Sequence, residues 1–67
     1  MADVITVAQT IMERATVEDV GWRAGGYRAT VEDERIDGRV TVECPWGADN
    51  AVELLADIVI SRLRDTV

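Results

Sequence analysis

Tyr27-Arg-Ala-Thr-Val-Glu-Asp-Glu-Arg-Ile-Asp-Gly-Arg-Val-Thr-Val-Glu-Cys44 alternates polar and apolar side chains on both sides of Arg35-Ile36-Asp37-Gly38. Period-two alternation broken by a short Gly-containing loop marks a β-hairpin with one buried face. If Arg35 to Gly38 form a four-residue loop, with Gly38 taking the positive φ, Glu34 faces Arg39. Val31 then faces Val42, Ala29 faces Cys44 and Tyr27 approaches Trp46. Thr30 with Glu43, and Glu32 with Thr41, form the polar face. A two-residue Asp37-Gly38 turn would set Asp33 against Val42 and Arg35 against Val40, so the longer loop is preferred. On this reading Glu32, Asp33, Glu34 and Asp37 form a solvated tip, where exchanging Ile36 for Thr matters little.

The phrase Arg28-Ala-Thr-Val-Glu-Asp33 also occurs as Arg14-Ala-Thr-Val-Glu-Asp19, and in part as Arg39-Val-Thr-Val-Glu43. The copies are too closely spaced for a solenoid. The first copy is read as chance similarity, with Thr16 to Gly21 a turn or short helix and a strand the alternative. Trp22-Arg23-Ala24 is read as a short strand or the start of a bulged one. Gly25-Gly26 is read as a flexible point or bulge before the hairpin.

Outside the hairpin the periodicity is helical. Val4, Val7, Ala8, Ile11, Met12 and Ala15 share one side of a wheel, with Thr6-x-x-Gln9 as a capping box and Asp3 as the alternative cap. After Pro45 a second helix, capped by Asp49 or Asn50, runs to about Arg64. Its apolar residues span about two-thirds of the wheel, more than one small sheet covers. Leu54 and Ile58 flank the polar stripe on one side, Ala56 and Ile60 on the other.

The expected fold is a single α+β domain covering residues 1–67. Its order is α-β-β-α, or α-β-β-β-α if Thr16 to Gly21 is a strand, with an antiparallel hairpin packed on two helices.

Composition narrows function more than it names it. With 67 residues, a chain buries only about 60% of its unfolded surface. It carries one Cys and no His, so an internal disulfide, a His-based triad and a typical zinc site are out. Cys44 falls on the core face with no activating base opposite it. The carboxylates have no cleft for acid–base work and do not match a calcium loop. Gly21-x-x-x-Gly25-Gly26 lacks the Gly-Lys-Ser/Thr of a P-loop. At Pro45-Trp46-Gly47 the anion-binding dipole of the following helix is already met by Asp49. The expectation is therefore a protein without catalytic residues, cofactor or metal.

Thirteen acids against seven Arg, with no Lys, set the net charge at −6. That balance disfavours nucleic acid and anionic membrane and suits a basic protein partner. The basic-aromatic group Trp22, Arg23, Tyr27 and Arg28 is the one stretch resembling a base-stacking surface. No signal segment or apolar span is read, so a cytoplasmic location is expected.

Two functions follow. The first is a small acidic protein-binding module of the kind phages and mobile elements encode: an adaptor, regulator or inhibitor acting as a homodimer. Its interface is expected at Leu54, Ile58, Ile60 and Leu63. Trp46 joins them as an exposed anchor, although a lid on the core is its preferred role. The second is a nucleic-acid mimic that places Glu32, Glu34, Asp37 and Glu43 in the basic groove of a DNA- or RNA-handling complex.

Overall fold

A computed structural model describes residues 3–65. Its order is helix, three strands, helix. Helix α1 spans Val4–Met12, β1 Thr16–Gly21, β2 Gly26–Asp33, β3 Gly38–Cys44 and α2 Ala48–Asp65. The strands form one antiparallel meander in the order β1-β2-β3. Both helices pack on one face of it. The core joins Ile11 of α1, Ala29, Val31, Val40 and Cys44 of the sheet, and Ala51, Leu55, Val59 and Leu63 of α2. The four α2 residues recur every fourth position, so they lie along one helix face.

The sheet faces are as the alternation implies, but the pairing differs by two residues. Val31 faces Val40, Ala29 faces Val42 and Tyr27 faces Cys44; on the polar face Thr30 meets Thr41 and Glu32 meets Arg39. A two-residue shift preserves which side each residue occupies. The loop is Glu34 to Asp37, and its first turn is 3₁₀. Asp33 causes the shift. Its carboxylate accepts from Arg35 N–H at 2.8 Å and closes the turn one residue early. Asp37 then takes the left-handed conformation at φ 68°, which Asp tolerates better than most residues. The turn carries Ile36 inward, where it is fully buried rather than solvated.

Thr16 to Gly21 is a strand, not a turn or short helix, and the Thr-Val-Glu stretch of all three copies of the repeated phrase is extended. Its pairing, Thr16 with Thr30, Val17 with Ala29 and Glu18 with Arg28, supplies the tertiary contact that an indifferent local sequence needs. The register shifts between Asp19 and Gly21, ahead of the Gly25-Gly26 position read as a bulge. Trp22 to Ala24 form a 3₁₀ turn rather than a strand. Gly26, at φ 89°, is tightly held. A Cβ there would meet Pro45 Cα at 2.5 Å.

Helix α1 starts at Asp3, whose carboxylate accepts from Ile5 N–H, and not at the Thr6 box; Thr6 lies inside the helix. It stops at Met12, three residues before Ala15. Arg14 and Ala15 donate to Ile11 and Met12 carbonyls, the tight bonds that close a last turn. Helix α2 starts slightly earlier than its expected caps, with Ala51 N–H on Gly47 C=O at 3.1 Å. Asp49 in its first turn and Arg62 and Arg64 in its last suit the helix dipole.

Candidate functional site

Among the described residues, a buried carboxylate, an uncharged groove between the helices and an open aromatic end stand out as places where chemistry could be done.

Asp33 is the buried carboxylate. It shares the parity of Tyr27, Ala29 and Val31, so the alternation that sends them inward sends it inward too. Reading the acidic run as a tip obscured that signal. Arg35 binds it twice, through Nε and Nη2 at 2.9 Å each. Arg14 approaches at 3.9 Å. The Arg35 guanidinium and backbone N–H, helped by the charges of Arg35 and Arg14, outweigh burial and hold the carboxyl at about 2 against a usual 3.8. The same partnership raises Arg35. A carboxylate so saturated with donors stays ionised at neutral pH and locks the turn; it is not poised to carry a proton.

The acids expected to form a binding surface are divided. Glu43 pairs with Arg28 at 3.2 Å and Glu32 with Arg39 at 3.7 Å, both on the outer sheet face. Arg28 also reaches Glu18 at 3.7 Å. Glu34 and Asp37 are exposed at the hairpin tip. The basic-aromatic group is divided as well. Tyr27 faces the core side and Arg28 the outer side of the sheet, while the Arg23 guanidinium lies 5.1 Å from the Trp22 ring centre.

The apolar candidates on α2 separate by flank. Leu63 is 7% exposed and belongs to the core, so it drops out as a contact residue. Ile58 is half-buried beside Ile36 in the notch under the hairpin tip. Ile60 joins Val52 and Ala56 of α2 and Ile5, Ala8 and Met12 of α1 around a groove of about 290 Å³. Gln9 is its one polar liner. Ile5 and Val52 are exposed there. Neither was singled out from the sequence, because the groove exists only once α1 lies on α2.

The third place is the end of the sheet where the β1–β2 and β3–α2 connections meet. Gly26 lies against Pro45, which brings the two loops together. Trp22 and Trp46 are 77% and 80% exposed, so Trp46 is no lid on the core. Beside Trp46 a cavity of about 270 Å³ runs along α2. Cys44 and Leu54 are its apolar liners beside Trp46; Asn50, Glu53 and Asp57 are its polar ones. Among the described residues, no three His, Cys, Asp or Glu side chains gather as a metal site would require.

These features define a small acidic α+β domain whose polar sheet face is largely paired and whose helices and loop end carry open apolar surface. No protein-family model, curated protein or solved structure matches the chain. Among the described residues, no helix is long and apolar enough to cross a membrane.

Proposed function

We propose that this chain is a small, acidic, non-catalytic protein-binding module of the cytoplasm that works as a homodimer and regulates or inhibits a partner by contact. One observation carries the reading: the α1/α2 groove is apolar and uncharged on a protein of net charge −6. Exposed apolar surface of this kind marks interfaces. A second copy meets the groove without bringing like charges together, and a two-fold pairing of the same patch is the commonest closed arrangement. The nucleic-acid mimic is less favoured. It needs a row of free carboxylates, and Glu18, Glu32 and Glu43 each face an Arg.

Sedimentation equilibrium at micromolar concentration tests the dimer on wild type and on Val52→Glu. Val52 is exposed, so its exchange spares the fold. The expected result is a dimeric wild type, a monomeric and folded variant, and a wild-type melting temperature that rises with concentration. A wild type that is folded and monomeric refutes self-association through this groove.

A further inference from the structure

The acids of this protein fall into two groups, and the second group shares a cavity with a tryptophan. Glu18, Glu32, Asp33 and Glu43 face arginines. Among the described residues, the Glu53 and Asp57 side chains make no hydrogen bond or ion pair. They stand one helical turn apart on α2, along the wall of the Trp46 cavity, and Asn50 continues their row by one more turn. No Arg lines that cavity.

We propose that the Trp46 cavity receives an arginine side chain from a basic segment of the protein partner. This rests on the protein-binding reading and names the chemistry that reading leaves open. Each part of an arginine has a counterpart here. Its aliphatic stem needs apolar contact, which the liners Leu54 and Cys44 supply. Its planar cation stacks on an indole face, and Trp46 keeps four-fifths of its surface free for that contact. Its donor fork binds carboxylates, and Glu53 and Asp57 are unengaged. The positive helix terminus does not cancel them. The dipole fades within the first turn, where Asp49 already meets it, and Glu53 and Asp57 lie beyond. An anionic ligand would face two uncompensated carboxylates. A purely apolar one would strip water from them without replacing it. The cavity, about 270 Å³ and open to solvent, has room for a side chain.

The test is a ¹⁵N-correlation titration with acetyl-Gly-Arg-Gly-amide, using acetyl-Gly-citrulline-Gly-amide as the uncharged isostere. The two tryptophan indole N–H signals are assigned with Trp22→Phe. The arginine peptide is expected to shift the Trp46 indole and the Asn50 side-chain amide with saturation in the millimolar range. The citrulline peptide is expected to leave both in place. Glu53→Gln/Asp57→Asn is expected to weaken the response at least tenfold, with an unchanged melting curve because both residues are exposed. Equal response to citrulline, response undiminished in the double variant, or no response of the Trp46 indole each overturns the proposal. The same spectra, recorded at two protein concentrations, report self-association at Ile5 and Val52. Failure of the cavity and failure of the dimer are therefore read from different signals.

Discussion

The two ends of the β2–β3 hairpin are opposites of what their composition advertises. The tip, Asp33 to Gly38, is mostly charged, yet it seals Ile36 and a carboxylate inside. The other end carries Trp22, Pro45 and Trp46, yet it stays open. The difference lies in where α2 reaches. Eighteen residues make a helix of about 27 Å, and its last turns arrive over the tip. There Arg62 donates to the Ile36 carbonyl at 3.4 Å, and Ile58 and Ser61 flank the same place. At the opposite end only the connector Pro45 to Gly47 precedes the helix, so nothing lies over Trp46. Burial follows which end a long element covers, not the hydrophobicity of the segment itself.

The sharpest way to break this comparison is at Ile36. Truncating a buried aliphatic side chain to Ala typically costs 2–5 kcal/mol, through lost transfer energy and the cavity left behind. Ile36→Ala is expected in that range. Ile36→Thr is expected to cost more than ~1 kcal/mol, not the small change a solvated tip would give. Chemical denaturation of both variants measures it. A loss under ~0.5 kcal/mol for Ile36→Ala would mean the tip is solvated after all.

Glycine separates the ends next. Gly26 at the open end and Gly38 at the tip both have positive φ, so an Ala at either position pays backbone strain of roughly 1–3 kcal/mol. They differ in surroundings. A Cβ at Gly26 meets backbone atoms of Cys44 and Pro45, while one at Gly38 meets nothing within 4 Å. Gly26→Ala is therefore expected to melt lower than Gly38→Ala, and the gap measures how tightly the two loops at the aromatic end are held. Equal melting temperatures would show that Pro45 can yield.

Acid tests the sealed tip when wild type is compared with Asp33→Asn. The Asp33 carboxyl titrates near 2 in the fold against 3.8 for an ordinary Asp, so the unfolded chain binds its proton first. Its contribution is complete above the unfolded value and is lost as pH falls from about 5 towards 2. The effect is smaller than that of Ile36, because Arg35 is partly exposed and solvent screens the pair. Melting curves across that range are expected to fall less steeply for Asp33→Asn than for wild type. Parallel pH profiles would mean the Arg35 contact is not made in solution.

Faces were legible and neighbours were not. Alternation placed Val31, Val40 and Cys44 inside because side-chain direction is local. Pairing is not local. A shift of two residues keeps every face, so only the Asp33 turn, a side chain bonding backbone two positions on, could set it. The strand at Thr16 to Gly21 was hidden for a related reason. It is an edge strand whose polar residues are satisfied by Thr30 and Arg28 across the ladder, and its own sequence carries no sign of them. Of the candidate site, Leu54 was visible as excess apolar surface on the second helix, whereas Trp46 read first as a lid on the core. Glu53 and Asp57 were visible only as the ordinary polar stripe of a helix. What makes them a wall is Trp46 standing opposite, which needs the connector's path.

The smallest effect is expected at Trp46. A tryptophan in a core costs 3–5 kcal/mol when truncated to Ala, and a surface side chain usually changes stability by less than 0.5 kcal/mol. Trp46 is the larger of the two cases by size and the smaller by position, since four-fifths of it is exposed and it belongs to no part of the core. Trp46→Ala is expected to leave the unfolding free energy within ~0.5 kcal/mol of wild type and to remove the arginine response described above. Both outcomes come from one variant, by denaturation and by titration with the same peptide. A loss of several kcal/mol would place Trp46 in the core and remove the open end from the comparison. A neutral change in stability with an intact arginine response would leave the exposure correct and the binding role wrong. Stability without binding is the expected result, because a side chain this large and this uncovered contributes to folding only through the little surface it buries.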